Sequence, residues 1–305
     1  MVYSFKHADE IQEQLRSIGE YQIGQGLLAL DDSGMERAEI VHDVRKRCKK
    51  LRGLIRLVRP SFARYKAENK AFRSVAHLFD DFRDAKVLQD TYDMLLKRFD
   101  EQVDRSAFAS IRGELTRRHN ALSTDDEWDA RRGRAKGALL EARERARKWT
   151  LDDSGWDAID DGLAKTYGRA LKAMREAREK PEGENLHEWR KRVKYHWYHT
   201  RLLKNAAPDL LKPRAELLSE LADLLGDHHD LHVFAERIAR EPDEYGDEES
   251  VALLKAMGAS ERSALEERAF LTGERLFADP PDVLAGRCRA FWRSWRKAEA
   301  AGHAS

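Results

Sequence analysis

Between Val41 and Leu57, in VHDVRKRCKKLRGLIRL, six side chains able to hold an anion recur at helical spacing: His42, Arg45, Lys46, Lys49, Arg52 and Arg56. At roughly 100° per residue they fall on one arc about 120° wide. A second stretch, LHEWRKRVKYHWYHTRLL from Leu186 to Leu203, repeats the pattern with His187, Arg190, Lys191, Lys194 and Arg201. The pairs His42/His187, Arg45/Arg190, Lys46/Lys191, Lys49/Lys194 and Arg56/Arg201 all stand 145 residues apart, so the match needs no gap. Solvated helix faces normally alternate acid and base, and neither arc contains a carboxylate. Like charges on one face repel and weaken a helix unless something anionic joins them. The two arcs are therefore read as walls for an anion, lysine supplying point charges and arginine forks matched to phosphate oxygens.

The elements that must position these walls are helices throughout. An apolar stripe of Val41, Val44, Cys48, Leu51, Ile55 and Val58 runs beside the first arc, and the helix stops before Pro60. Leu186, Trp189, Val193 and Leu203, with His196 and Thr200, form the matching stripe of the second, which ends before Pro208. Ser4–Leu30 reads as a first helix, with Ile11, Leu15, Ile18, Ile23 and Leu27 turned inward, and DDSG at 31–34 as a turn. A third helix is expected from Phe62 to Phe82, carrying Phe72, Val75, Leu78 and Phe79. Asp80–Asp84 (DDFRD) then reads as a tight junction with Asp84 as N-cap of a fourth helix. Helical pattern resumes at 106–122 and 124–149, where the run from Arg131 to Lys148 mixes both signs as a solvated face does. After Leu151–Gly155, the best candidate boundary, the order recurs. A helix spans 156–180, the second basic helix follows, then a helix from Lys212 to Leu225, a junction GDHHD at Gly226–Asp230, and a fourth helix LHVFAERIA. Asp81/Asp227, Arg83/His229 and Asp84/Asp230 align at an offset of 146 residues. Helices at 247–275 and 282–299 complete the chain, and no run alternates at period two as a strand would.

The fold class is thus all-α: two tandem, pseudo-twofold-related four-helix-bundle repeats with long antiparallel helices, at about 5–149 and 155–298. With 305 residues, 36% of them charged and 41% hydrophobic, core material is ample. The formal net charge is only +1, so polarisation of charge and not its total is the clue. Cys48 and Cys288 lie far apart and suit buried thiols in a reducing compartment. MVYSFKHADE does not read as a signal peptide, and no window reaches the roughly 18 apolar residues of a membrane span. A cytoplasmic protein is expected.

Paired H-x-x-R-K-x-x-K patterns, each on a helix ending before a proline and each followed by an [RH]-D junction, resemble the CHAD (conserved histidine α-helical domain) family. The resemblance covers residues 5–298 as one domain. It implies an all-helical protein that binds inorganic polyphosphate in a basic cavity or groove, without catalysis and without metal or cofactor. The contacts it implies are His42, Arg45, Lys46, Lys49, Arg52, Arg56, His187, Arg190, Lys191 and Lys194, with Arg83 and His229 at the junctions. Arg201 joins them from the second arc. Polyphosphate granules and their proteins become expected surroundings. The chain departs from the pattern where Trp197 replaces a basic residue at the position of Arg52, and where Lys86 enters an otherwise acidic junction. His42 and His187 are expected to titrate near neutrality and to donate to phosphate, so that binding strengthens from about pH 8 to 6.

Two other chemistries fit parts of the same residues. His42-Asp43 spells the dipeptide of metal-dependent HD phosphohydrolases, which act on polyphosphate or nucleotides, and His228, His229, Asp230 and His232 add further ligand types. Neighbours on a helix point about 100° apart, however, and the cations beside His42 oppose a metal. Tyr195, Trp197 and Tyr198 could stack the bases of a single-stranded nucleic acid, with Trp189 the better candidate for core. The near-neutral charge argues against that partner. No P-loop, G-x-S-x-G, HExxH or CxxC occurs, nor the E-x-E-x-K of the triphosphate tunnel enzymes.

Overall fold

The computed structural model describes residues 3–99, 109–120, 124–241 and 247–302. Among these the chain is all-α, with no strand. The helices of the first half are α1 (Ile11–Asp31), α2 (Arg37–Leu57), α3 (Tyr65–His77), α4 (Asp80–Arg98), α5 (Ala109–Asn120) and α6 (Asp125–Ala146). Those of the second are α7 (Asp160–Glu179), α8 (Gly183–Leu203), α9 (Pro208–Arg240), α10 (Glu248–Leu276) and α11 (Pro281–Gly302).

Apolar periodicity sets the packing. Every member of the α2 stripe is buried, and so are Leu186, Trp189, Val193, His196, Thr200 and Leu203 of α8. In the first half α1 packs on α2 and α6, and α3 on α2 and α6. In the second, α7 packs on α8, α8 on α9, α9 on α10 and α7 on α10, while α11 lies against α7. The halves join through α2 with α7 and α8, and through α4 with α9. The linker after α6 is tied back, since the Asp152 and Asp153 amides donate to the carbonyl and hydroxyl of Ser61 at 2.9 and 2.7 Å.

Several boundaries differ from expectation, each for a local reason. Residues 4–10 are not helical. Glu10 adopts a left-handed φ of 61°, and the Gln14 amide binds back to Lys6, His7 and Asp9. The third helix is shorter than 62–82, because the chain breaks at Leu78–Phe79 and restarts at Asp80. Acidic Asp80 and Asp81 occupy the first turn of α4, where they meet the positive end of the helix dipole and favour a start there. Asp84 is therefore inside α4 and caps nothing. The Gly226–Asp230 junction is absent. α9 runs unbroken through it for 33 residues, because Leu221, Leu225, His228 and Leu231 continue one buried stripe. Part of the helix expected at 106–122 lies outside the described residues.

Candidate functional site

α2 and α8 meet at Gly53 and Tyr198. A Cβ on Gly53 would lie 2.8 Å from the Tyr198 Cβ, so this approach requires glycine. His199 Nε2 hydrogen-bonds the Gly53 carbonyl oxygen at 3.1 Å. Gly53 and Tyr198 are themselves 145 residues apart, so the two copies touch through equivalent positions. Their neighbours cross over in matching fashion. The Arg56 guanidinium lies 3.8 Å from the Tyr195 ring centroid, and Arg201 faces Lys50, the equivalents of Arg56 and Tyr195.

Toward the helix N-termini, the two arcs share one electrostatic neighbourhood. Lys49 is open to solvent by area yet hemmed in by protein. That crowding, together with Arg45, Arg190, Arg83 and Lys194, lowers its pKa to about 7. Arg190 is shifted down by burial and by Arg83, against the pull of Asp230, Asp227 and Asp223. The rings of His187 and His229 lie against each other, centroids 3.9 Å apart and planes tilted by 34°. Burial, then Lys191 and Arg190, push His187 to about 4; burial, then His187 and Arg190, push His229 to about 3. Both are neutral near pH 7, which corrects the neutral-range titration expected of His187. Their Nδ1 atoms are buried without a hydrogen-bond partner. Arg45, Lys49, Arg83, His187, Arg190, Lys194 and His229 are thus brought together. His42 stays exposed on α2.

The arcs are not free of carboxylates, as their sequence suggested, because neighbouring residues and other helices supply them. Arg45 pairs with Asp80 and donates to the Ala76 carbonyl at 2.7 Å. Arg83 bridges Asp84 at 2.9 Å and Asp230 at 3.4 Å, joining the two aligned junctions. Lys194 lies 3.2 Å from Asp223, Lys191 pairs with Glu188, and Lys46 approaches Asp43 at 4.0 Å. Gly226 stands where Asp80 stands in the first copy, and a Cβ there would lie 3.2 Å from Arg190 Nη2. Arg190 therefore lacks the tight ion pair of its twin, and its Nε is buried without a partner.

The C-terminal halves of the arcs diverge. Arg52 and Arg56 share the Asn69 Oδ1 acceptor at 3.1 and 3.3 Å. Arg201 lies over Trp197 at 4.8 Å and Tyr3 at 5.6 Å, and Lys194 over Trp197 at 5.1 Å. Trp197 thus receives two cations where the first copy has one. Lys50, Arg59, Asp230 and Tyr195 also stand in this surface. The aligned junctions pointed to Asp230, but Lys50 and Tyr195 are placed by the crossing of α2 and α8, and Arg59 by the company of Tyr65 and Arg169 from α3 and α7, which no spacing within one helix reveals.

Among the described residues the pieces of the metal chemistry lie apart. Asp43 accepts from Arg47 at 3.0 Å while His42 faces solvent. His228 pairs with Glu266 at 2.7 Å, whereas His232 faces Glu236 at 3.6 Å. Among the described residues no three His, Cys, Asp or Glu side chains gather as metal ligands do. Tyr198 is buried, as Trp189 is, so neither is placed to stack a base, and the Tyr195 ring is covered by Arg56. The Arg131–Lys148 run pairs across helices, Arg131 with Asp81 and Arg145 with Glu68. No described helix is long and apolar enough to cross a membrane.

A family model described as the CHAD domain matches residues 25–239, which hold both arcs and both aligned segments. No curated protein matches the chain.

Proposed function

This chain belongs to the CHAD domain family, and from that premise we propose that it binds inorganic polyphosphate, without catalysis, in a groove walled by α2 and α8. One observation carries the reading: Lys49 of α2 shares its surroundings with Arg45 of its own helix, Arg190 and Lys194 of α8 and Arg83 of α4. Four cations crowd one solvent-open ammonium, an arrangement that costs free energy until a polyanion enters. Polyphosphate has no bases to read, so its affinity must come from cation spacing and charge-assisted hydrogen bonds. Successive turns present cations every 5–6 Å, a repeat that a flexible polyanion can follow. A pseudo-twofold relation between two repeats of a single domain over 5–298 fits the Gly53–Tyr198 contact. A cytoplasmic location, with polyphosphate granules and their proteins as surroundings, follows from the same reading.

The test is charge reversal on both walls. Lys49→Glu/Lys194→Glu is expected to abolish binding of long-chain polyphosphate at moderate salt while circular dichroism remains unchanged. Undiminished binding by a folded double variant would put the ligand elsewhere. RNA and single-stranded DNA in the same titrations separate this reading from nucleic-acid binding, since polyphosphate should displace them and not the reverse.

A further inference from the structure

Most cations around Lys49 already face carboxylates, but one cluster does not. At the C-terminal end of α2, Arg52, Arg56 and Arg59 follow at spacings of four and three residues, Arg169 of α7 acts electrostatically on Arg59, and none of the four forms an ion pair among the described residues. Their company is neutral: Asn69 accepts from Arg52 and Arg56, Tyr195 lies under Arg56, and Tyr65 sits beside both Arg56 and Arg59. Arg56 is 7% exposed, close to a fully buried cation. Its Nε, and the Nε and Nη2 of Arg59, are buried with no hydrogen-bond partner. Burial, then Arg169 and Arg56, lower the Arg59 pKa to about 10, so the crowding reaches even a guanidinium. An unpaired buried charge is among the costliest features a fold can retain. Arg52, Arg59 and exposed Arg169 leave the cluster open to solvent on one side.

We propose that Arg52, Arg56, Arg59 and Arg169 form a discrete site for a terminal phosphoryl group, separate from the groove that tracks internal phosphates. An end group carries about two negative charges near neutrality and three acceptor oxygens, whereas an internal unit of the chain carries about one charge. Arg52 and Arg56 already converge on one oxygen of Asn69, and guanidinium forks so gathered suit the former, because each fork can take two oxygens. The end group comes either from free pyrophosphate or from the end of a polyphosphate chain, the latter resting on the reading above.

Calorimetry with two probes separates these possibilities: pyrophosphate, and long-chain polyphosphate with both ends blocked as phosphoramidates. Pyrophosphate is expected to bind the wild type, to lose about tenfold or more in Arg59→Gln/Arg169→Gln, and to bind Lys49→Glu/Lys194→Glu as before. The end-blocked chain is expected to show the reverse dependence. Arg169 is exposed, so Arg169→Gln alone serves if the double variant does not fold, with a loss of about threefold. Pyrophosphate that fails to bind the wild type, or binds both arginine variants undiminished, overturns the site. If the end-blocked chain binds no protein while the pyrophosphate pattern holds, the groove reading falls and this site stands with free pyrophosphate as its ligand.

Discussion

Lys49 concentrates the physical problem of this surface. Its ammonium is crowded by protein and by four other cations, and its pKa falls to about 7 from an ordinary 10.5. The unfolded chain therefore binds more protons between those values, so Lys49 weakens the fold below about pH 7 and the penalty lifts as pH rises toward 10.5. A polyanion reverses the shift, and binding takes up about one proton in that window. Affinity should thus fall as pH rises from 7 to 9, and Lys49→Arg should keep binding while flattening that dependence, as read by calorimetry in buffers of different ionisation enthalpy. An unchanged slope in Lys49→Arg would assign the proton to another group. The carboxylates among the cations act in the opposite sense. Asp230 is held above the ordinary carboxylate range by burial, against Arg190 and Arg83. Removing its charge with Asp230→Asn leaves Arg83 facing Asp84 alone and is expected to tighten polyphosphate binding about two- to tenfold. Weaker binding would mean that Asp230 chiefly positions Arg83.

At the scale of elements, the crossing of α2 and α8 decides which cations meet. The 2.8 Å clearance at Gly53 leaves no room for a side chain. Gly53→Val should cost about 1–3 kcal/mol in urea unfolding and should weaken polyphosphate binding more than Gly24→Val, whose surroundings are open. Equal effects would make the crossing incidental. Much of this level was legible beforehand, since the 145-residue offset and the two apolar stripes gave the C-terminal ends of α2 and α8, while the helices begin four and three residues before the repeated stretches. The junction expected at Asp80–Asp84 exists but falls earlier, at Leu78–Phe79, and the absence of its counterpart in α9 was not legible. DDFRD and GDHHD look alike as turn chemistry, and burial of Leu225, His228 and Leu231 decides for a continuous helix in the second case. Nor could the arcs reveal their own neutralisation, because Asp80, Asp223 and Asp230 reach them from other helices.

Across the whole molecule, a net charge of +1 spread over 56 basic and 55 acidic residues means that binding depends on where cations gather. Two gatherings differ in kind: a carboxylate-edged cluster around Lys49 and an unpaired arginine cluster around Arg59. The central claim is that cations from both duplicated helices grip one polyanion. It is tested most directly by the salt dependence of long-chain polyphosphate affinity in the wild type, Lys49→Gln, Lys194→Gln and the double variant. If one chain lies between both helices, each single variant flattens the log-affinity against log-salt slope by about one contact and the double variant by about two. A slope that responds to one helix alone, with the other substitution silent in every background, would contradict the claim.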